Sequence, residues 1–581
     1  MTTRDTMYSE DIVLSCNRSQ LISVLDEGVT RLPPETDNSG NIEYKTKLNN
    51  TSITRTSHLA TQLQWRLAEG CGQAVYVVGV HDDGEVVGIT EKEFQLTLDI
   101  LNDMAGQLGN AHVSSISRRV LADKENRVVA EVCITQRNAV QRSELRVTVL
   151  GDHSAGKSTV LGCLTYGEAD NGRGKARLNL LRHRHEVESG RTSSIALGTI
   201  GFDSDGQVLS YANNNSAEQI YRRAQHVVTF IDTCGYSKHL KTTARAITGH
   251  SPHVFCVIIA ADSETLTGTT RERLRIAAVL NMPLMVVISK MDLATRAGFG
   301  MLMHNLLAAL DTTIPGRSKC VVTGSAANES LAKDMMGLAV VPIFTTSAVR
   351  IVGFSEITTV LSKSRPVHAS GRDGFSNSPR LFEYHIEHLY SFDSVGTVVT
   401  GWVHAGVAKP AAELGRKLVV GPDSAGKFTG VEVTSIHTLR IPTETAKAGS
   451  SAALAIQTQQ PVSIQKGMVI VDAERLRDGS KRCVSDEFVA RIAVLDPEFS
   501  TMNSVIVHIR SAYRLARIVE ITNDPPVAAD TSEKSAAFSC YSVLVRLKFD
   551  DSVCDYLYPG MPIIARDGQS LTFAGHIETV L

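Results

Sequence analysis

The sequence predicts an α/β domain built on a parallel sheet, with a small α+β domain before it and two β-barrels after it. Three observations predict this. Between about residues 143 and 364, near-continuous Val- and Ile-rich runs alternate with helical segments, the texture of strands buried on both faces. Before that span lie an amphipathic helical pattern, a hairpin signal and two strand-like runs. After it, many short β-runs with turn signals and little helix continue to the end, as in barrels.

Composition sets the outer bounds. A chain of 581 residues fits about three to five domains at roughly 100–200 residues each. Hydrophobic residues at 43% and charged residues at 21% describe a globular protein. A net charge of −2 excludes attachment to nucleic acid or an anionic membrane by overall charge, so any RNA contact must use a local basic face. No apolar run approaches the roughly 20 residues that span a bilayer. The acidic, interrupted start MTTRDTMYSEDIVLSC fits neither a secretory nor a mitochondrial signal. Ten cysteines without C-x-x-C spacing point to reduced thiols and a cytoplasmic setting. His183 and His185, in RHRHE, lack partners at ligand spacing and read as solvated loop histidines.

In chain order, residues 1–46 read as a mostly disordered arm, with Pro33-Pro34 and ETDNSGN in a loop. Residues 47–140 form the N-terminal α+β domain. Its first helix runs from Thr54 to about Glu69 on Leu59, Leu63 and Leu67, with Ala60 and Trp65, and ends at Gly70. AVYVVGV, HDDG and EVVGI give the hairpin signal. A helix over Glu91–Leu108 and strands near Val113–Val120 and Arg127–Ile134 follow. This domain carries no catalytic constellation and reads as a packing or partner-binding module.

The α/β domain spans 143–364, with LRVTVL, HVVTFID, HVFCVIIAAD, PLMVVIS and VVPIFTT as strands. Polar linkers are expected at 365–379 and 475–482, bounding barrels at 380–474 and 483–581. Sites in such α/β sheets lie at the carboxyl ends of the strands, and the polar signatures fall there.

The first strand runs into G-x-x-x-x-G-K-S, here Gly151, Asp152, His153, Ser154, Ala155, Gly156, Lys157 and Ser158, then Thr159 and a helical pattern of Val160, Leu161 and Leu164. The glycines let backbone N–H groups turn inward around phosphates, Lys157 reaches the β- and γ-phosphates, and Ser158 offers a hydroxyl to Mg²⁺. The helix adds the positive end of its dipole. GPDSAGKFTG, from Gly421, mimics this loop. Phe428 stands where the hydroxyl is needed and TGVEVTSI alternates like a strand, so it reads as a hairpin turn.

After HVVTFI, Asp232-Thr233-Cys234-Gly235 reads D-x-x-G: Asp232 can hold Mg²⁺ through water and the Gly235 N–H can meet a γ-phosphate. After PLMVVI come Ser289, Lys290, Met291 and Asp292. Asp292 can accept from N1–H and the 2-amino group of guanine, donors adenine lacks, while the Lys290 stem packs over the base. After IFTT, the backbone of Ser347-Ala348-Val349 can meet the guanine O6. Four signatures in this order define a GTP/GDP-binding domain, an α/β P-loop GTPase domain. In Glu188-Ser189-Gly190-Arg191-Thr192-Ser193-Ser194, Thr192 is the candidate second Mg²⁺ ligand of a switch ordered by the γ-phosphate. Ser193 or Ser194 could supply that hydroxyl instead, and the run also fits a polar surface turn.

These motifs, followed by two barrels, resemble translational GTPases of the elongation factor Tu and 1-alpha class. VGTVVTGWVHAGV is similar to the second-domain signature of that class. A closer resemblance, over roughly residues 43–581, is to the GTP-binding protein 1 and 2 family of elongation-factor-like GTPases. It rests on EYKTKL, QLQWRLAEGCGQAVYVVGV, LTYGEADNGRGKARLNLLRHRHEVESGRTSS, GFDSDG, IDTCGYSKHLKTT, SIHTLRIP and KGMVIV. The resemblance implies a cytoplasmic, monomeric, membrane-free GTPase acting with ribosomes, aminoacyl-tRNA or mRNA-decay factors. Catalysis would be positioning and electrostatics, with Lys157 stabilising transition-state charge and Gly235 sensing the γ-phosphate. Three departures stand out. Ser154 replaces the aspartate usual two residues before the second glycine, Ser289 replaces Asn or Thr, and Tyr236 replaces the histidine that helps orient the attacking water. A phenol supplies no imidazolium at neutral pH, although its hydroxyl can still orient water. Tyr236 and Ser154 therefore also admit a GTP-controlled scaffold that hydrolyses negligibly.

Overall fold

The computed structural model describes residues 30–33, 40–48, 53–69, 73–108, 111–121, 127–136, 142–366, 381–392, 395–410, 417–443, 445–460, 462–476, 484–523, 542–550, 553–568 and 570–581. They fall into two compact units divided between Gln141 and Arg142.

The first unit is a four-stranded sheet in the order Ile42–Lys45, Gln73–Val78, Arg127–Gln136, Ala111–Leu121. Two helices, Ile53–Glu69 and Glu91–Leu108, pack on it. Leu63, Leu67, Leu101 and Met104 from the helices meet Ala74, Tyr76, Val132 and Ile134 from the strands in one core. Two sequence expectations change here, and one lies beyond the described residues. The arm expected up to residue 46 includes an edge strand, because Tyr44 buries against Val77 and Val129; most of the rest of that arm lies outside the described residues. EVVGI makes isolated bridges, Val80 to Val86 and Ile89 to Val128, rather than a ladder. Gly70, the expected helix stop, lies outside the described residues.

In the second unit, an eight-stranded sheet runs Ser318–Val321, Val340–Thr345, Leu284–Ser289, Val254–Ala260, Ser143–Gly151, His226–Asp232, Ala196–Phe202, Val208–Leu209. Its central strands are predominantly apolar because both faces are covered. Leu145, Val147 and Val149 enter one core and Leu150 the other. Cys256 and Ile258 likewise separate from Phe255, Val257 and Ile259, as the two-residue period of a strand requires. Each such side chain removed from water contributes about 1.5–3 kcal/mol. The sheet is mixed rather than wholly parallel, since Ala196–Phe202 pairs antiparallel with both its neighbours.

Two closed six-stranded barrels follow. In the first, Leu418–Gly421 pairs with Val469–Asp472 on one side and Thr429–Thr438 on the other, which closes the ring. The Gly421 segment is the turn of that hairpin, as its alternation implied. The second comprises Glu487–Val494, Ser542–Phe549, Ala512–Asn523, Ser504–Ile509, Pro562–Asp567 and Ser570–Val580. The fold is thus a P-loop α/β domain with two barrels and a small α+β domain. Most of the two linker spans expected from sequence lies outside the described residues.

Polar contacts fasten the α/β domain to the first barrel. The Arg146 guanidinium lies 3.7 Å from the Trp402 ring centroid, donates to the His250 carbonyl at 2.5 Å and sits 3.4 Å from the Glu387 carboxylate. The Ser451 N–H donates to the Glu144 carboxylate at 3.0 Å. Against the second barrel, Ile564, Leu571 and Ala574 join Leu240, Ile247 and Leu274 in one apolar core, and the Thr248 hydroxyl donates to the Arg510 carbonyl at 2.8 Å.

Candidate functional site

Parallel pairing of Ser143–Gly151 with His226–Asp232 sets Val149 opposite Asp232, so the phosphate loop and D-x-x-G leave the sheet side by side. The loop closes onto the helix Lys157–Tyr166, with Gly156 at its N-cap in the left-handed region. Lys157 is buried and donates to the Asp152 carbonyl at 2.7 Å. Burial lowers its pKa, opposed by the nearby Asp232 carboxylate. Gly235 crosses directly above. A Cβ there would run into the Lys157 ammonium and the Asp152 carbonyl, so the residue must be glycine.

Three oxygens converge beside this loop. Ser158 Oγ donates to Asp232 Oδ2 at 2.6 Å and lies 2.9 Å from Thr192 Oγ1. Asp232 is fully buried, and its second oxygen, Oδ1, has no hydrogen-bond partner. Burial pushes its carboxyl up to about 6, against the Ser158 hydrogen bond. A buried carboxylate oxygen without a donor, beside two hydroxyls, is the hard oxygen set that suits Mg²⁺. The residues fit that ion.

Sequence left three hydroxyls open in the switch, and geometry separates them. Ser193 and Ser194 both donate to Glu186 Oε1 through N–H and hydroxyl, at 2.6, 2.7, 2.9 and 3.1 Å. Thr192 alone of the three faces Ser158. Glu186 was missed from sequence. Its other oxygen takes the N–H groups of Arg182 and His183, capping the helix Arg184–Ser189. Burial would raise its pKa, but the Ser193, Arg182 and Ser194 hydrogen bonds outweigh that and hold it at about 2. The one usable signal was Glu186 three residues after His183, at capping-box spacing. His185, read as a solvated histidine, pairs with Ser193 Oγ at 2.8 Å.

The phosphate-side cleft is lined by His153, Ser154, Lys157, Thr159, Thr192 and Gly235, among others. The Asp152 carboxylate turns aside, bonded to Thr267 and, at 3.1 Å, to Thr270. Tyr236 stands edge-on to His153, ring centroids 5.9 Å apart, with the Arg191 guanidinium 5.8 Å from its ring. Burial lowers the His153 pKa, and the Arg191, Lys157 and Arg177 charges lower it further.

At the other end, Ser347 Oγ donates to Asp292 Oδ1 at 2.6 Å. Lys290, in the left-handed region, pairs with Asp262 at 2.7 Å, a second partner that sequence did not identify. Ser289 donates to the Ala155 carbonyl at 2.6 Å, tying this segment to the phosphate loop. The Ala348 carbonyl accepts from the Asp170 N–H at 3.0 Å, and Val349 is exposed.

Residues 142–367 match the elongation factor Tu GTP binding domain family. GTP-binding protein 2 of Mus musculus and of Homo sapiens are each 34% identical over 556 residues, covering 94% of this chain and 88% of theirs. The chain belongs to the GTP-binding protein 1 and 2 family. GTP-binding protein 1 of Xenopus laevis is 31% identical over 522 residues, 88% of this chain and 74% of that protein. The α/β domain of this chain is of the elongation factor Tu GTP binding type. Among solved structures, the S. cerevisiae Ski7 GTPase-like domain bound to GTP aligns at a TM-score of 0.52 and 14% identity. It covers 76% of this chain and 98% of that one, a likeness of fold.

Proposed function

We propose that this protein binds GTP with Mg²⁺, hydrolyses it to GDP and phosphate, and uses the two states to gate binding to translation or mRNA-decay machinery in the cytoplasm. The observation that carries the reading is the convergence of Ser158, Thr192 and Asp232 beside Lys157. Ser158 and Thr192 would hold Mg²⁺, with Asp232 supporting it through water. The metal supplies charge neutralisation at the β- and γ-phosphate oxygens. Gly151 to Thr159 wrap the phosphates through backbone N–H groups, and Lys157 answers charge on the bridging and γ-oxygens. Gly235 meets the γ-phosphate, so its loss releases the Thr192 loop. Asp292 reads guanine, Lys290 covers the base, Ser289 braces the loop, and Ser347, Ala348 and Val349 surround O6.

Tyr236 favours a second reading, a GTP-controlled scaffold with negligible turnover. Its ring is held between His153 and Arg191, and it carries no imidazole. GTP turnover by the wild type and Tyr236→His, with and without ribosomes, separates the two. Measurable wild-type turnover, raised by ribosomes and raised further in Tyr236→His, supports the enzyme. Absence of turnover in every condition, with GTP bound, would leave the scaffold.

A further inference from the structure

Arg177 belongs to none of the four nucleotide motifs, yet its side chain lines the phosphate cleft with Lys157, Ser158 and Thr192. It forms the wall between that cleft and an outer hollow lined by Arg173, Lys175 and Glu188. Its mount is rigid. The 3₁₀ turn Lys175–Leu180 buries Ala176 and Leu180 against Val160, Leu161 and Leu164 of the phosphate-loop helix. Asp170, itself buried, takes the N–H groups of Gly174 at 3.1 Å and Ala176 at 3.0 Å. The Asp170 N–H in turn reaches the Ala348 carbonyl of the base-side loop. The guanidinium sits where two glycines make room: a Cβ on Gly174 or on Gly190 would collide with it, and both have positive φ. Arg146, Arg184 and Arg273 of the same domain have carboxylate partners, whereas the Arg177 guanidinium, like that of Arg191 in the same cleft, has none among the described residues.

We infer that Arg177 is a cation supplied within the chain to the γ-phosphate, binding it in the GTP state and stabilising the charge that builds during its transfer. The inference rests on the hydrolytic reading above for its catalytic half only. In that step a water oxygen bonds to the γ-phosphorus while the bond to the β–γ bridging oxygen breaks. The bonding electrons leave on GDP, and the water's proton ends on the released phosphate. A guanidinium presents paired N–H donors to phosphate oxygens, and such a group placed in cis or in trans accelerates GTP hydrolysis by about 10³–10⁵-fold. Arg191 is the rival cation, but it is exposed, lies on the switch and stacks over Tyr236. Arg177 instead sits outside the switch, on the 3₁₀ turn packed under the phosphate-loop helix, with Gly190 of the switch against its guanidinium.

The test uses the full chain as wild type, Arg177→Ala and Arg177→Lys, with GDP, a β,γ-imido GTP analogue and GTP, all with Mg²⁺. Arg177→Ala should lower the ratio of analogue to GDP affinity about tenfold or more, with GDP affinity and thermal midpoint held. Single-turnover cleavage should slow about 10³-fold, and Arg177→Lys should recover part of both losses. An unchanged affinity ratio in folded Arg177→Ala overturns the inference whatever the turnover. If Arg177→Ala does not fold, the same ratio in Arg177→Lys decides, with no fall overturning it. A wild type that binds the analogue but cleaves no GTP sinks the hydrolytic reading, and the affinity ratio still judges Arg177.

Discussion

The two ends of the nucleotide site are built differently. The phosphate end is buried and sterically full: Lys157, Ser158 and Asp232 are 7%, 8% and 0% exposed, and Gly235 has no room for a methyl group. On the proposed function, its recognition would use backbone N–H groups and close approach. The base end is more open and rests on side-chain hydrogen bonds, chiefly Ser347 to Asp292 and Lys290 to Asp262. Ser289 has one hydroxyl proton and aims it at the Ala155 carbonyl, whereas an amide there could bond two groups. On the proposed function, guanine selection would therefore fall on Asp292. Triphosphate binding would then depend on packing that tolerates no added atom, and base choice on one carboxylate.

The difference can be broken most sharply at Gly235. Gly235→Ala should lower GTP affinity by about 100-fold or more while weakening GDP far less, because the methyl group displaces Lys157 and the γ-phosphate contact; nucleotide titrations check this. Next, Asp292→Asn should move preference from GTP toward xanthosine triphosphate by about 10²-fold or more, since the new donor faces the xanthine 2-oxygen. Competition binding reads it, and unchanged GTP affinity would remove Asp292 from base recognition. A smaller effect is expected at Glu186. Its pKa is depressed from the ordinary 4.5 to about 2, so it stabilises the fold fully above pH 4.5 and progressively less as pH falls toward 2. Thermal midpoints of the wild type should exceed those of Glu186→Gln near neutral pH, and the gap should close across that window. Smallest of all, Ser289→Asn should tighten guanine nucleotide by about 2–5-fold, the scale of one added neutral hydrogen bond.

The phosphate loop was legible because its working parts are contiguous from Gly151 to Thr159, and its flanking strand and helix are strongly apolar. D-x-x-G and Ser289 to Asp292 were legible for the same reason, each following a buried strand. Glu186 was not, because its role comes from the Ser193 and Ser194 N–H groups wrapping back over it, a relation that spacing does not encode. Arg177 was hidden in a polar segment whose rigidity comes from Asp170 and from Ala176 packing under the helix. The antiparallel strand Ala196–Phe202 was missed because glycines at 198 and 201 break its apolar run. Ser318–Val321 is a four-residue edge strand that opens on two polar residues, Ser318 and Lys319. Both lie outside the strands that carry the motifs, so the site could be read without them.

The central claim is that Ser158, Thr192 and Asp232 complete a Mg²⁺–triphosphate site whose base is guanine. Calorimetric titration of the full chain with GTP, GDP and ATP, in Mg²⁺ and in EDTA, tests it most directly. GTP binding should weaken at least about tenfold in EDTA, with a smaller metal effect on GDP, and ATP should bind weaker than GTP by about 10³-fold or more. GTP affinity indifferent to Mg²⁺, or ATP bound as tightly as GTP, would contradict it.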